Sequence, residues 1–352
     1  MVKSVEFLII GQGLAGTAVS WRLHQQGRSF IVIDQQRPDS PSRVAAGLIN
    51  PVTGRNLVPT WRVNDLLPIA LDQYREMDQF LGIQSLHEVP AWRFFERQSE
   101  VDKLPERLKE APEYLTPLPK DIDLNDSKAP LSGVEIKEGG WLDTELLLDG
   151  WRAYLIKKGS LVDDFIQWNE LSISTNTIRW KDIEAQHLIL CPGYLPKNDL
   201  YFPNLPFSLT KGEILTVSGL TWPEDKIYMY QYFMVPIGNG QWRLGATYNW
   251  KEINTTPTGE AKAIMLNKWK EVYRGELNVI DHKAGIRPST IDRMPLLGTH
   301  DALPNLHLLT GLGSKGAIQA PWLGEHLLQS IDSLNPIMPA VKWNRKEKPH
   351  TK

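Results

Sequence analysis

The sequence predicts an α/β unit on a parallel sheet, combined with an α+β region built on a mixed or antiparallel sheet. Three observations carry this. The apolar run Val5-Glu6-Phe7-Leu8-Ile9-Ile10 is followed at once by Gly11-Gln12-Gly13-Leu14-Ala15-Gly16 and then by a helical pattern. Residues 207–248 alternate apolar and polar positions at strand period, with Gly238-Asn239-Gly240 as a turn. Residues 99–130 are rich in Pro, Lys, Glu and Asp and read as a surface insertion between more regular segments. At 352 residues the chain is long enough for about two domains. Its 41% hydrophobic content supplies a sizeable core.

The first unit has the most determinate physics. Residues 5–10 read as a buried parallel strand, and residues 17–26 as a helix, with Ala18, Val19, Trp21 and Leu23 at helical spacing and Gly27 as its stop. Ser29-Phe30-Ile31-Val32-Ile33 reads as a second strand ending in Asp34, with Gln35 next. Gly11 permits a tight strand-to-helix turn. Gly13 lets backbone approach a pyrophosphate, and Gly16 lets the helix lie close to the strand. Leu14 and Ala15 complete a helix N-terminus whose free N–H groups and dipole suit phosphate. Asp34 stands near the roughly 20-residue spacing expected of an acid that accepts from both ribose hydroxyls. The unit therefore reads as a Rossmann-like dinucleotide site. The acid argues against a 2′-phosphate, but the motif alone does not separate FAD from NAD.

Composition excludes several classes. Lys+Arg is 39 against Asp+Glu 41, a net charge of −2, so there is no global electrostatic case for nucleic-acid binding, and only a local basic patch stays open. The single cysteine, Cys191, excludes an intrachain disulfide and a zinc site built on several thiolates, and fits a reducing cytoplasm. The eight histidines show no metal spacing, so no metal is expected. The apolar run before Gly11 is too short for a secretory core, and no stretch reaches the roughly 18 apolar residues of a membrane span. Residues 343–352 read as a basic, frayed tail, with a weak RNA or membrane contact as the sharper alternative.

Ser42-Arg43-Val44-Ala45-Ala46-Gly47-Leu48 follows the second strand, where an NAD dehydrogenase has no general need for such a segment. Here the chain resembles the D-amino-acid oxidase and glycine oxidase family of flavoproteins. In that family a hydroxyl residue, small residues and a glycine pass under the pyrophosphate and flavin. Ser42, Ala45, Ala46 and Gly47 match these positions. Arg43 is less typical and is assigned a phosphate contact. Later segments extend the likeness. Leu188-Ile189-Leu190-Cys191-Pro192-Gly193 resembles the strand and small-residue turn beside FAD, although Pro192 replaces the usual alanine or serine. Lys211-Gly212-Glu213, Val235-Pro236 and Leu244-Gly245-Ala246-Thr247 resemble strands of the family's substrate domain. Gly285-Ile286-Arg287-Pro288 through Asp292, Pro295 and Gly298 matches its Arg-Pro…Asp…Pro…Gly signature. Gly311-Leu312-Gly313-Ser314-Lys315-Gly316-Ala317 matches its final glycine-rich loop. That last run, and Gly140-Trp141-Leu142, also resemble the oxidase half of the bacterial enzymes that modify wobble uridine in tRNA.

The resemblance implies interleaved domains. Residues 1–86, 140–202 and 281–342 would form the FAD-binding domain, and 87–139 with 203–280 the substrate domain. It implies noncovalent FAD, since Cys191 does not match the covalent-flavin position and reads as an inert core thiol. Ile166, near the end of a third parallel strand at 159–166, is expected near the adenine. The implied reaction is oxidation of a C–N bond by hydride transfer to flavin N5, with hydrolysis of the resulting imine. Arg287 would grip a substrate carboxylate, or else hold the flavin domain to the sheet. Tyr232, Phe233 and Tyr248 would roof the pocket, or else be ordinary sheet packing, and Trp250 shares that ambiguity. Phe233 stands where glycine oxidase-like members can carry a tyrosine. Lys315 would offset charge on reduced flavin, or else face solvent.

The implied protein is a cytoplasmic amine or amino-acid oxidoreductase with a small-molecule substrate, oxygen as an electron acceptor and no membrane partner. The alternatives are an oxidoreductase that removes a carboxymethyl group from carboxymethylaminomethyl-uridine in tRNA, an NAD-dependent reductase, and a flavin-binding scaffold without activity.

Overall fold

The computed structural model describes residues 2–54, 56–119, 122–128 and 132–345. Strand β1 (Lys3–Ile10) enters helix α1 (Leu14–Gln25), and β2 (Phe30–Ile33) returns beside β1 in parallel. After the long helix α2 (Val63–Leu81), the chain leaves for a second sheet through β3 (Ala91–Phe94), α3 (Gln98–Glu110), β4 (Leu115–Pro117) and β5 (Gly133–Ile136). It returns with α4 (Thr144–Lys157), β6 (Leu161–Val162), β7 (Leu171–Ile173), β8 (Ile178–Trp180) and β9 (Ile183–Leu190). A second excursion lays down β10 (Thr210–Ser218), β11 (Ile227–Tyr230), β12 (Tyr232–Gly238), β13 (Gln241–Gly245), helix α5 (Gly259–Trp269) and β14 (Asn278–Arg287). The chain closes with β15 (Leu296–Thr299), β16 (Leu306–Thr310) and α6 (Gly316–Ile331).

The first sheet runs β6-β2-β1-β9-β8-β7, with β16 parallel beside β9 and β15 antiparallel to β16. Its strands are buried on both faces, as a parallel sheet between layers requires. Phe7 and Ile9 join α1, α2 and α6 in one core, and Leu8, Ile31 and Leu188 join a second core with Trp180 and Phe202. The second sheet runs β14-β10-β13-β12-β11-β3-β5-β4, antiparallel except for β11 and β3. Because alternate residues take opposite faces, Leu215, Val217, Met234, Trp242 and Leu244 turn to one side and bury α5 through Met265 and Trp269. The other face turns toward the first domain.

Several expectations shift. The helix expected at 17–26 starts three residues earlier, because the glycine turn leads straight into it; Gly27 follows its end at φ +67°. Only Leu161–Val162 of the expected third strand pairs with β2. The Pro-rich insertion contains helix α3 in spite of Pro105, with the buried Glu100 carboxylate accepting from Glu96 N and Arg97 N at 2.9 and 3.2 Å. The boundary expected at 280/281 falls inside β14, which stays in the second sheet to Arg287. The tail is not free at its start. Arg345 donates to both oxygens of Asp292 at 2.8 and 2.9 Å, and Trp343 stacks on His300. Lys346, Lys348 and Lys352 lie outside the described residues. Among the described residues no helix is long and apolar enough to cross a membrane.

His307 on β16 is buried beside Thr299 and His187, and burial, aided by the His187 charge, pushes its pKa down to about 3. Unfolded, it titrates near 6.5. Below that pH the unfolded chain takes up a proton that the folded chain refuses, so this contribution to stability is full above 6.5 and declines as pH falls toward 3. Denaturant unfolding of the protein at pH 6.5 and 5.0 should show a loss of about 2 kcal/mol from this group. His307→Gln should flatten that part of the slope, and an unchanged slope would refute the assignment.

Candidate functional site

The two sheets enclose a cavity of about 740 Å³ at the C-terminal ends of β1 and β16, where ligands of open α/β sheets bind. Its floor starts at the glycine turn. Gly11 sits at φ +100°, and a Cβ there would lie 2.3 Å from the Cys191 carbonyl oxygen. A Cβ on Gly16 would lie 1.8 Å from the Gly11 carbonyl oxygen. Both are thus structural shapers of the turn and do not line the cavity. Gly13 does, and a Cβ there would lie 2.9 Å from Ser42 Oγ. Ser42, in the short helix Pro41–Val44, accepts from Leu14 N at 3.2 Å.

Two helix N-termini meet at this space. Leu14 and Ala15 open α1, and Gly316 and Ala317 open α6; all four line the cavity. Neither first turn contains an acidic residue or a side-chain cap within the helix. Apart from the Ser42 hydroxyl on Leu14 N, both N-termini are open to an anion. Ala45, Ala46, Gly47 and Leu48 line one side, and Gly193, Gly311, Gly313, Ser314 and Lys315 another. The lining includes Arg93, Arg287, Arg293 and Lys315 and no carboxylate among the described residues. Arg93 is paired with Glu100 at 2.9 Å, whereas Arg287, Arg293 and Lys315 have no acidic partner among the described residues. A small-residue cradle, two helix N-termini without an acidic residue and these three cations fit a dinucleotide pyrophosphate and an anionic second ligand.

The roof is one face of the second sheet. Strand register puts Arg93, Met229, Phe233, Gly245 and Ile214 in one row. Gly212 faces Gly285, and Thr210 faces Arg287, farther along the same side. Phe233 thus points into the cavity. Tyr232, one residue away, turns to the opposite face and packs partly on the α5 core, reaching only the cavity's edge.

Arg287 lies across Gly212. A Cβ on Gly212 would fall 2.1 Å from its Nη2, so only glycine leaves the guanidinium its place. Nη1 donates to the Thr247 carbonyl oxygen at 3.0 Å, and Cζ stands 4.4 Å from the Tyr248 ring centroid. Among the described residues the guanidinium has no acidic partner, and burial holds its pKa below the usual range. A buried cation without a counter-ion is costly unless a ligand supplies one. Its hydrogen bond stays within the second domain, so it does not act as a latch to the first. Burial, and then Arg293, lowers the Lys315 pKa. These two cations mark a second anion-favouring point at the start of α6.

Other expected residues fall elsewhere. Arg43 is turned away from the cavity and donates to Asp149 on α4 at 2.6 Å. It holds one helix to another and is not positioned for phosphate. Ile166 is buried in the second core, Gln35 is exposed, and neither lines the cavity; nor does Pro192. Asp34 is largely committed within the protein. It accepts from Gln12 N (2.9 Å), Gln36 N (2.7 Å) and Arg152 Nη1 (3.0 Å). Only Oδ2, with one donor, keeps a free lone pair for a ribose hydroxyl. Cys191 touches the cavity but is buried, and burial pushes its thiol pKa up, so it stays protonated.

The sequence reading did not identify Arg93, Arg293 and Arg152. Arg93 sits in a short alternating strand, and Arg152 in an ordinary helix face; neither has a local signal. Arg293 lies within the quoted Arg-Pro…Asp signature, and that proximity was the available clue.

A model of the family described as DAO, FAD dependent oxidoreductase, matches residues 6–330. The tRNA 5-methylaminomethyl-2-thiouridine biosynthesis bifunctional protein MnmC of Legionella pneumophila (strain Corby) is 23% identical, over 94% of this chain and 55% of its own length. The chain thus spans about half the length of the first curated relatives it matches. Iminodiacetate oxidase (IdaA) from Chelativorans sp. BNC1 superposes with a TM-score of 0.78 at 21% identity, over 97% of this chain and 99% of that one. Glycine oxidase from Geobacillus kaustophilus superposes with a TM-score of 0.82 at 15% identity, over 98% and 100%. At these identities the two structures establish a shared fold, the Rossmann-like architecture with a second sheet.

Proposed function

The chain belongs to the DAO family of FAD-dependent oxidoreductases, and on that premise we propose that it oxidises the C–N bond of an amine that also carries a carboxylate, as in an amino acid or an N-substituted glycine. FAD supplies the hydride-accepting chemistry when bound. The protein's share is binding and orientation. The glycine turn, Ser42 and the α1 N-terminus would hold the pyrophosphate. Lys315, with the α6 N-terminus, would favour negative charge on the bound cofactor. Arg287 offers a two-pronged contact to the substrate carboxylate. Phe233 and the space left at Gly245 set the room above the reacting carbon.

The single observation that carries the reading is the half-buried Arg287 guanidinium, which lines the cavity without an acidic partner among the described residues. A carboxylate completes it. Names of structural neighbours support the class: one is an iminodiacetate oxidase and another a glycine oxidase.

A second reading has its own support. Curated relatives include bifunctional tRNA-modification proteins, of which this chain spans about half. In this reading the amine and carboxylate belong to a carboxymethylaminomethyl group on tRNA uridine, and Arg287 plays the same part.

Anaerobic bleaching of the flavin visible band separates the two. The panel is glycine, sarcosine, D- and L-amino acids, proline, iminodiacetate and a carboxymethylaminomethyl-uridine nucleoside. Bleaching by a free amino acid is expected. Bleaching by the nucleoside or modified tRNA alone would transfer the function to the second reading, and silence with every carboxylate-bearing amine would overturn both. Reoxidation in air, timed after bleaching, tests oxygen as acceptor.

A further inference from the structure

Two large aromatic side chains stand in solvent at the mouth of the cavity. Tyr248 and Trp250 are 55% and 61% exposed, yet both line the cavity. Their ring centroids are 6.0 Å apart and their planes 24° from parallel. Tyr248 also carries the Arg287 guanidinium over its ring. Arg287, Tyr248 and Trp250 therefore form a continuous line from the buried cation to the exposed rim. Two large aromatic rings left in water side by side at a pocket mouth mark a contact surface.

The exposure is not the slack of a loose loop. The segment that carries the two rings is gripped from behind the sheet. Lys211, fully buried, donates through Nζ to Asn254 Oδ1 at 3.0 Å and to the Thr256 carbonyl oxygen at 2.5 Å, with Glu213 Oε1 at 3.4 Å. The Glu213 carboxylate accepts from Thr258 N at 2.7 Å and Thr258 Oγ1 at 3.0 Å. Glu213 N donates to Thr247 Oγ1 at 3.0 Å, and the backbones of Lys211 and Asn249 exchange two hydrogen bonds. Lys211 and Glu213 flank Gly212, the residue over which Arg287 lies. Burying a lysine and a glutamate is costly, and the contacts they make converge on residues 247–258. The rings are held at the rim before any ligand arrives, which lowers the ordering cost of stacking on them.

We infer that Tyr248 and Trp250 are a preorganised stacking platform, and that the substrate ends in a planar unsaturated ring. The inference rests on the proposed function, since it is the carboxylate on Arg287 that brings the ring to the platform. Planar rings of two sources share this chemistry: an aromatic amino-acid side chain and a pyrimidine base. An aliphatic end of equal bulk lacks the π face that a stacked pair recognises.

Binding of matched carboxylates to the FAD-loaded protein tests this without turnover. Acetate, cyclohexylacetate, phenylacetate and 5-carboxymethyluracil are titrated, with the flavin visible spectrum and calorimetry as readouts. At least one planar ring should bind about fivefold to tenfold tighter than cyclohexylacetate. Trp250→Ala, an exposed position that folding does not need, should abolish that preference and leave acetate and cyclohexylacetate unchanged. Tyr248→Leu should reduce it as well. A stronger effect of the uracil acid assigns the ring to a nucleobase, and of the phenyl acid to an aromatic amino acid; either supports the platform. Equal binding of planar and saturated rings, or a preference that survives Trp250→Ala, overturns the inference while the carboxylate reading stands. Failure of all four acids, acetate included, to bind overturns the carboxylate reading and the platform with it.

Discussion

Arg287→Met should leave the protein folded within about 1 kcal/mol of its original stability and lower kcat/KM for a carboxylate-bearing amine by about two to three orders of magnitude. The two halves of this expectation have separate causes. In the free protein the guanidinium is half-buried with no acidic partner among the described residues, and makes one hydrogen bond to Thr247 and one ring contact to Tyr248. Removing it gives up those contacts but also removes the desolvation cost of an uncompensated cation, and the two nearly cancel. With substrate bound the balance is different. The cation then has its counter-ion, and its loss leaves the carboxylate without its two-pronged partner. Arg287→Lys should fall between, because an ammonium keeps the charge but not the fork. Thermal unfolding with and without substrate, beside steady-state kinetics, checks both halves. A sharp fall in stability with unchanged KM would make Arg287 a structural residue.

Gly13→Val should yield a folded protein that purifies colourless. Gly13 has φ −75° and ψ −169°, an extended conformation open to any residue, so the backbone sets no bar. The constraint is space: a Cβ would sit 2.9 Å from Ser42 Oγ and fill the approach to the α1 N-terminus. Losing two hydrogen bonds to a charged pyrophosphate costs about 3–5 kcal/mol, a weakening of FAD binding by roughly two to four orders of magnitude. Gly16→Val is the contrasting variant. Its Cβ would lie 1.8 Å from a backbone oxygen, so the helix itself must move and the fold should fail. The visible-to-ultraviolet absorbance ratio of purified protein, followed by titration with FAD, measures the difference. A yellow Gly13→Val protein with unchanged affinity would remove the glycine turn from the cofactor site.

The parts of the site that were legible are those whose chemistry is contained in a short stretch of backbone. The turn from Gly11 to Gly16 was readable because each glycine answers a local steric demand. The Ala45-Ala46-Gly47 and Gly311–Gly316 stretches were legible through their resemblance to the flavoprotein family, and residues of both line the cavity. Arg43 shows the limit. It is adjacent to Ser42, but the turn of one short helix sends it to Asp149, far along the chain. Asp34 shows another. The sequence identified an acid at the end of a strand, and only the fold reveals that Arg152 and two backbone amides already hold it.

What the sequence by itself determined is the α/β unit with its dinucleotide turn, the antiparallel second region, and the family whose cofactor is FAD. The first two follow from local spacing, because strand and helix periods and glycine demands act over a few residues; the family follows from the resemblance of several separate motifs to known flavoproteins. What only the tertiary structure decided is the direction of each polar side chain. Gly212 and Arg287 come together through strand register, Thr247 and Tyr248 join them from the segment that follows β13, and Phe233 and Tyr232 are separated by a single step of register. That the strand containing residue 280 stays in the second sheet as far as Arg287 was set the same way. Register is fixed by long-range pairing and by which face is buried against α5, and neither is expressed in any one segment.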